Sequence, residues 1–223
     1  MSKKLLNKEE LEIFEITKEY LQKQPISRIV ELVRFIDNRL KFNPNFNRNK
    51  VEKIVKSLIK KNIILIGTTL TKDDILSVQT RKIIFEHVKQ NPGININEIK
   101  NEFNLGSNQV LWHLKMLEDF QYIKTVKIGN QKALFDVNFN DDRCHITFHL
   151  RNDKIQDIVN LLRSSNEPLR PTNISDTLSI HYNTTKKYLN ILLEFQIIVK
   201  VNGNKKKRYI INPEPNYIME KLI

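Results

Sequence analysis

Most of the sequence carries apolar residues at helical spacing, interrupted by short runs in which apolar and polar residues alternate. In the predicted helix 108–121 a single apolar stripe is formed by Val110, Leu114, Leu117 and Gln121. The runs 122–128 and 132–138 flank Gly129-Asn130, which is typical of a β-hairpin. The sequence therefore predicts a mainly α-helical protein with small β-hairpin wings, in the α+β class.

A repeat of about 75 residues organises the second two thirds of the chain. Residues 97–105 correspond to 172–180, and 120–123 to 195–198, with the same shift at both ends. Each copy reads as a helix, a break at proline, a short helix, a longer helix and a hairpin. We call these the middle copy and the C-terminal copy. Their short helices are predicted to start at the N-caps Asn97 and Thr172. The order of elements is that of a winged helix-turn-helix domain.

A weaker third copy precedes these two. Residues 9–23 and 27–40 read as helices, Asn47 is the predicted cap of a further helix to about Lys61, and 63–66 reads as a strand. Thr71 begins the next helical region almost at once, which leaves no room for a hairpin of normal length. We therefore expect tandem winged helix-turn-helix domains, two clear and an N-terminal one whose wing is short or missing.

The predicted domains are 1–72, an N-terminal helix-turn-helix domain, then 73–140, a winged-helix domain, and 153–223, a C-terminal winged-helix domain. Residues 141–152 are predicted to form a linking strand, because His145, Thr147 and His149 would share one face and Cys144, Ile146 and Phe148 the other. A metal cluster of these histidines with Asp141, Asp142 and Cys144 is the alternative. The alternation is what a half-buried strand shows, so no metal site is predicted.

The chain is strongly basic, with 37 Lys and Arg against 25 Asp and Glu and a net charge of +12. Such a balance favours an anionic partner, most commonly nucleic acid. The abundance of Lys, Asn and Ile is also what an A+T-rich genome encodes. The placement of the cations on particular faces must therefore decide between these explanations.

Several functional classes lack sequence support. The single cysteine precludes an internal disulfide and fits a reducing cytosol, and no phosphate-binding glycine motif or catalytic motif occurs. The N-terminus does not resemble a signal peptide, and the apolar runs are too short to cross a bilayer. We expect a protein that is not an enzyme, has no cofactor or membrane partner, and is cytoplasmic and nucleoid-associated.

A family resemblance accompanies the predicted third helix of the middle copy. The motif Val110-x-x-His113-Leu114-Lys115-x-Leu117 follows Asn91-Pro92-Gly93 and precedes Tyr122-Ile123. Over residues 80–137 it resembles the ArsR, MarR and Lrp-related winged-helix regulators of archaea and bacteria. The resemblance implies that the groove residues are Ser107, Asn108, Gln109, Trp112 and His113, and that the wing tip is Asn130, Gln131 and Lys132. The metal-sensing cysteines of ArsR proteins are absent, so metal sensing is not implied.

The polar faces of the predicted third helices supply the candidate DNA-binding residues. Asn and Gln pair with adenine in the major groove, and Lys contacts phosphate or guanine. In the middle copy this face adds Lys115 to the residues just named. In the C-terminal copy the candidates are Tyr182, Asn183, Thr184 and Lys187, with the wing cations Lys205, Lys206, Lys207 and Arg208. In the N-terminal copy they are Asn49, Lys50, Lys53 and Lys56. Trp112 has a second interpretation, as a residue that packs against a neighbouring domain or subunit.

Double-stranded DNA is therefore the predicted partner, and a transcription regulator the predicted function. The alternative is a protein-interaction scaffold, because tandem winged helices also build the subunits of the endosomal sorting complex ESCRT-II and RNA polymerase III-associated factors. Burial of the third helices against sibling domains would favour that scaffold role and its protein partners. RNA binding is a third interpretation. A homodimer is common in the resembled family, although several modules in one chain can replace it.

Overall fold

The structure, a computed structural model, describes residues 6–203 and 206–213. It is mainly helical with small antiparallel sheets, as the sequence predicts. The helices of the first half are α1 (Lys8–Leu21), α2 (Ile29–Arg39), α3 (Arg48–Lys60), α4 (Lys72–Ile75), α5 (Gln79–Gln90), α6 (Ile96–Glu102) and α7 (Ser107–Asp119). Those of the second half are α8 (Asp141–Leu150), α9 (Asp153–Ser164), α10 (Pro171–Thr177) and α11 (Tyr182–Glu194). The strands are β1 (Ile94–Asn95), β2 (Ile123–Ile128), β3 (Gln131–Asp136), β4 (Ile198–Gly203) and β5 (Lys206–Ile211).

The chain divides into two compact units, one comprising 1–91 and 95–125 and the other 92–94 and 126–223. In the first unit, α1, α2 and α3 pack around an apolar core that includes Phe14, Leu32, Ile36, Val55 and Leu58. Between α3 and α4 the strand pairing consists of a single bridge, which joins Ile64 to Thr71. Strand pairing at the place of the first wing is thus limited to one residue pair. The predicted domain boundaries at 72, 140 and 152 stay predictions.

Local side-chain bonds fix where these helices begin. The side chain of Asn47 accepts a hydrogen bond from the amide of Lys50, and Thr71 forms a capping box with Asp74. Both predicted helix starts are confirmed.

The predicted caps of the short helices are wrong by two residues. Asn95 caps α6 in a box with Glu98, and Arg170 stands at the N-cap of α10, where Pro171 supplies the first helical residue. Asn97 and Thr172 lie inside the first turns of these helices.

The second unit contains the β4-β5 sheet and all of β3, and the boundaries between the two units cross β1 and β2. Strand order is β1-β3-β2 in one sheet, and β4 pairs with β5 in the other. Ala133 and Phe135 of β3 pack with Cys144 of α8, while α9, α10 and α11 enclose a separate apolar cluster. The pairing of β4 with β5 continues to Gly203 and Lys206. Asn-Gly dipeptides favour hairpin turns, but Asn202 and Gly203 both lie in β4, and Asn204 lies outside the described residues.

The predicted strand over 141–152 is wrong, because residues 141–150 form α8. Asn140 caps this helix through a bond from the amide of Asp142. Its apolar residues face two clusters: Cys144 and Phe148 pack against the wing sheet, and Ile146 and Leu150 join the core around α9. A helix with two buried faces has no single apolar stripe. Its apolar and polar residues therefore alternate as in a strand, which explains the wrong prediction.

The two copies of the 75-residue repeat have the same backbone conformation at equivalent turns. Asn104 and Ser179 both have positive φ after the short helix, at 48° and 52°. Gln121 and Gln196 do the same after the long helix, at 53° and 57°. Gln121 is exposed in this turn, so its predicted place in the buried stripe is wrong. In each copy the next residue donates its amide to the carbonyl five residues back, from Tyr122 to Leu117 and from Ile197 to Leu192.

No helix among the described residues combines the length and apolar character that crossing a bilayer requires.

Candidate nucleic-acid interface

The apolar stripe of α7 is buried as the sequence predicts. Val110 and Leu117 are fully buried and Leu114 is 5% exposed. Because these three residues hold one side of α7 against its own unit, the opposite side is left for other contacts. That opposite side carries most of the candidate residues of the middle copy.

The candidates on α7 differ in how available they are. Ser107, Asn108, Trp112 and Lys115 are exposed, Gln109 is exposed but partly engaged, and His113 is half-buried. The Gln109 side chain accepts a hydrogen bond from the amide of Gly106 at 3.1 Å, which caps the helix. Lys115 forms an exposed ion pair with Asp119 at 3.2 Å. Asn108 is therefore the most readily available amide of this face.

His113 lies beneath this face rather than on it. Its Nδ1 is buried and has no hydrogen-bond partner among the described residues. Burial, followed by the nearby charge of Arg81, lowers the pKa of His113 below its ordinary value. Because His113 lies beneath the face and its neutral imidazole carries no charge, it is poorly suited to contact the phosphates of a DNA backbone.

Trp112 is half exposed, and its ring is covered on one side by the guanidinium of Arg81. The guanidinium carbon lies 4.8 Å from the ring centroid, within the range of a cation–π interaction. Arg81 comes from α5 and is only 3% exposed. Sequence reasoning missed this residue, because nothing in the local pattern distinguishes a buried arginine from the exposed basic residues around it.

The hairpin of the middle copy exposes its polar tip. Asn130, Gln131 and Lys132 are exposed, as is Lys127 on the preceding strand. Ala133, Leu134 and Phe135 are buried immediately after them. The hairpin is therefore anchored by its apolar residues and presents amide and cationic groups at its free end.

In the C-terminal copy, α11 repeats the arrangement of α7. Thr185, Leu189 and Leu192 are buried, while Asn183 and Lys187 are exposed. The remaining candidates, Tyr182 and Thr184, are exposed and half-buried respectively. The ring of His181 accepts a hydrogen bond from the amide of Asn183 and so caps the helix. The first turn of α11 thus presents an amide and a phenol side by side.

The second wing carries exposed positive charge on β5. Lys207 is exposed and Arg208 is half-buried, and they pair with Asn202 and Val201 in the strand register. Lys205 and the side chain of Lys206 lie outside the described part of the chain. The strand Lys206–Ile211 is held in place by Tyr209, which is buried and bonded through its backbone to Leu169.

On α3 the predicted basic face is largely neutralised within the protein. Lys50 lies 2.7 Å from Glu9, and Lys56 lies 2.6 Å from Glu52. Asn49 and Lys53 are exposed. Because paired cations release fewer counterions from DNA, Lys50 and Lys56 are weaker candidates for phosphate contact than the exposed Lys53.

The described residues contain no group of three or more His, Cys, Asp and Glu side chains placed to hold a metal ion. The two histidines of α8 lie one helical turn apart, with His145 exposed and His149 half-buried against the ring of Phe195. Burial, followed by the nearby His145, lowers the pKa of His149.

A comparison with protein families matches residues 78–144 to the family of HVO_0163-type N-terminal HTH domains. The match contains α5, α6, α7 and the first hairpin. A protein of Methanocaldococcus jannaschii, named as an uncharacterised HTH-type transcriptional regulator, is 25% identical over 166 residues. Those residues are 73% of this chain and 42% of that protein, so the chain spans less than half of its relative. Both similarities support a helix-turn-helix regulator.

Among solved structures, the chain is similar to ScpB from Mycobacterium tuberculosis, with 8% identity and a TM-score of 0.23 over 64% of this chain and 92% of that one. It is also similar to the DIP2311 protein from Corynebacterium diphtheriae, with 13% identity and a TM-score of 0.23 over 81% and 39%. Similarities this weak carry no conclusion about fold or function.

Proposed function

We propose that this chain is a transcriptional regulator that binds double-stranded DNA through tandem winged helix-turn-helix modules. The observation that carries the proposal is the orientation of α7 and α11. Each buries its apolar stripe and exposes amide and basic side chains on the opposite face. The similarity of residues 78–144 to an HTH domain family supports the same conclusion.

In this proposal the first turns of α7 and α11 enter major grooves. Asn108 and Asn183 are exposed at these turns and have the donor and acceptor needed to pair with adenine. The wing residues Lys132, Lys207 and Arg208 contact backbone phosphates. The chain acts without catalysis or a cofactor, and its place of action is the nucleoid.

The N-terminal copy differs from the other two copies in its basic residues and in its wing. Its α3 holds two of its predicted DNA-binding lysines in ion pairs, and its strand pairing consists of one bridge. We propose that residues 6–71 contribute little phosphate contact and serve mainly to assemble the protein with itself or with a partner. The ring of Phe42 is 92% exposed, with the ammonium group of Lys41 5.7 Å from its centroid, and it supports a contact of that kind.

The proposal is tested by selecting binding sites from random duplexes with the full chain and measuring affinity for the selected site by fluorescence anisotropy. Asn183→Ala is expected to lower affinity for that site about tenfold, because one bidentate base contact is worth about 1–3 kcal/mol. Asn160→Ala, an exposed asparagine on α9, provides the matched control and should leave affinity unchanged. Failure to enrich any sequence, with equal weak binding by both variants, would contradict sequence-specific recognition.

A protein scaffold remains the second candidate, and one observation favours it. Leu111 and Trp112 are adjacent on α7 and each is 50% exposed, which is unusual for a surface that meets only solvent. The same anisotropy assay separates the two roles, because a scaffold with a net charge of +12 would bind duplex only weakly and non-specifically, with no loss of affinity in Asn183→Ala. Competition by single-stranded or duplex RNA distinguishes RNA binding.

A further inference from the structure

Arg81 is a buried cation without a counterion. It lies in the first turn of α5 and is 3% exposed. One terminal nitrogen donates to the carbonyl of Ile75 at 3.4 Å, the upper limit of a hydrogen bond, and its Nε has no partner among the described residues. No Asp or Glu carboxylate of the described chain forms an ion pair with it. Burial lowers its pKa, since the charged form loses hydration.

The surroundings of Arg81 satisfy only part of this charge. The ring of Trp112 covers one flat face of the guanidinium at 4.8 Å. The N–H donors lie in the guanidinium plane and point outward from its edge, so stacking on the Trp112 ring does not satisfy their hydrogen bonds. His113 adjoins Trp112 at 4.9 Å between ring centroids, and its buried Nδ1 is also without a partner. Two unsatisfied nitrogens therefore lie next to the same tryptophan.

The C-terminal copy shows that packing alone does not require an arginine. Ile155 occupies the equivalent position, because it is the third residue of α9 as Arg81 is the third residue of α5, and the two are 1% and 3% exposed. The next buried residue follows at the same spacing in both helices, Ile84 in α5 and Ile158 in α9. An apolar side chain therefore fills this position in the other copy, and the positive charge and the donors of Arg81 are left for another purpose.

The first turn of α5 adds further attraction for an anion. Val78 at its N-cap forms no side-chain cap, and no acidic residue occupies the first turn. The free amides of such a turn carry partial positive charge. A guanidinium fork recognises the planar oxygens of a carboxylate or the oxygens of a phosphate with paired hydrogen bonds.

We infer that Arg81, His113 and the first turn of α5 form a binding site for a compact oxyanion, the carboxylate or phosphate group of a small molecule, beneath Trp112. Because Arg81 is 3% exposed, the site favours a small free anion over the bulkier phosphate of a DNA backbone, which carries two ester linkages. Because Trp112 lies on α7, an anion in this site would act on the helix that we propose reads DNA.

Trp112 is the single tryptophan of the sequence, so its fluorescence reports on this site alone. The experiment titrates the full chain, without DNA, with inorganic phosphate and separately with succinate, at ionic strength held constant with sodium chloride. A saturable change in Trp112 emission is expected with at least one of these anions. Arg81→Gln removes the charge and keeps a polar side chain, and it is expected to weaken binding at least about tenfold. Lys82→Gln, the exposed neighbour on α5, removes the same charge and should bind as the unmodified chain does.

The inference is overturned if neither anion produces a saturable change, or if Arg81→Gln responds as strongly as the unmodified chain. A response to duplex DNA alone would also overturn it. Should Arg81→Gln lose its circular dichroism spectrum, His113→Phe takes its place, with binding measured by calorimetry; this variant keeps an aromatic ring and removes both ring nitrogens. Since no DNA is present in the titrations, their failure leaves the proposed regulatory function untouched.

Discussion

Glu10 is the clearest case of a charged side chain that the fold needs. It is 7% exposed, and its carboxylate accepts from Lys61 at 2.6 Å, from Ser57 at 3.0 Å and from the backbone amide of Asn7 at 3.2 Å. Burial by itself would raise its pKa, but these hydrogen bonds outweigh burial and hold the pKa below its ordinary value. The ionised form is therefore bound more tightly in the folded protein than in the unfolded chain.

The lowered pKa gives a pH-dependent prediction. The stabilisation by Glu10 is complete above the pKa of the unfolded chain and is lost as the pH falls through the lower folded pKa. Glu10→Gln should lower the free energy of unfolding by about 1–3 kcal/mol at neutral pH, and the difference should narrow in acid. Urea unfolding followed by circular dichroism at neutral and acidic pH measures this. Glu31→Gln, at an exposed position, is the control; equal effects of both variants would refute a special role for Glu10.

Gly93 is required for space as well as for its backbone conformation. Its φ is +86°, and a Cβ would meet Arg151 Cδ at 3.2 Å, Phe148 Cα at 3.3 Å and Phe135 Cζ at 3.4 Å. Gly129 also has positive φ, at +58°, but a Cβ there would have open space. Comparing the two positions therefore separates crowding from backbone strain.

Gly93→Ala is expected to lower the free energy of unfolding by about 2–4 kcal/mol, since overpacking adds to the strain of positive φ. Gly129→Ala should cost about 1 kcal/mol, from strain alone. Thermal unfolding of both variants measures the difference. Equal destabilisation would mean that the backbone next to Gly93 moves aside without cost.

Helix starts show what a local sequence can and cannot predict. Asn47 and Thr71 were identified correctly, because each precedes a clear change to helical spacing. For α6 the cap is Asn95 rather than Asn97, although the pair Asn95 and Glu98 has the spacing of a capping box. Two asparagines two residues apart compete for the cap, and the box with glutamate decides between them.

This choice is testable by a pair of substitutions. Asn95→Ala should lower the free energy of unfolding by about 0.5–2 kcal/mol, because it leaves the amide of Glu98 without its acceptor. Asn97→Ala, at an exposed position in the first turn, should be within about 0.5 kcal/mol of the original protein. Thermal unfolding that ranks the two variants in the opposite order would place the cap at Asn97 after all.

The error at α8 has a different cause. The periodicity of a segment reports its secondary structure only when one face is buried. Cys144 and Ile146 belong to two different clusters, so α8 has apolar residues on more than one side and mimics the alternation of a strand. Only the positions of both clusters in three dimensions resolve this ambiguity.

For the molecule as a whole, the repeat was the most informative feature of the sequence. It predicted the helices and hairpins of both copies, and the structure adds that the copies share positive φ at residues 75 positions apart. It did not predict which side chains would be withdrawn from the polar faces. The burial of Arg81 and the ion pair of Lys50 with Glu9 depend on residues distant in sequence. The partner of Lys56, in contrast, is four residues away on the same helix. Alignment of the first helices of the two copies places Arg81 opposite the apolar Ile155, and this contrast could have drawn attention to it.

Affinity for duplex DNA across a salt series is the measurement that decides whether the exposed faces of α7 and α11 and their wings bind DNA. Log affinity should fall linearly with log salt, by about 0.9 for each phosphate contact. Lys187→Gln and Lys207→Gln should each reduce that slope by about 1, while Lys154→Gln, an exposed lysine on α9, should leave it unchanged. No duplex binding at low salt, or an equal loss of slope in all three variants, would contradict the proposed mode of binding.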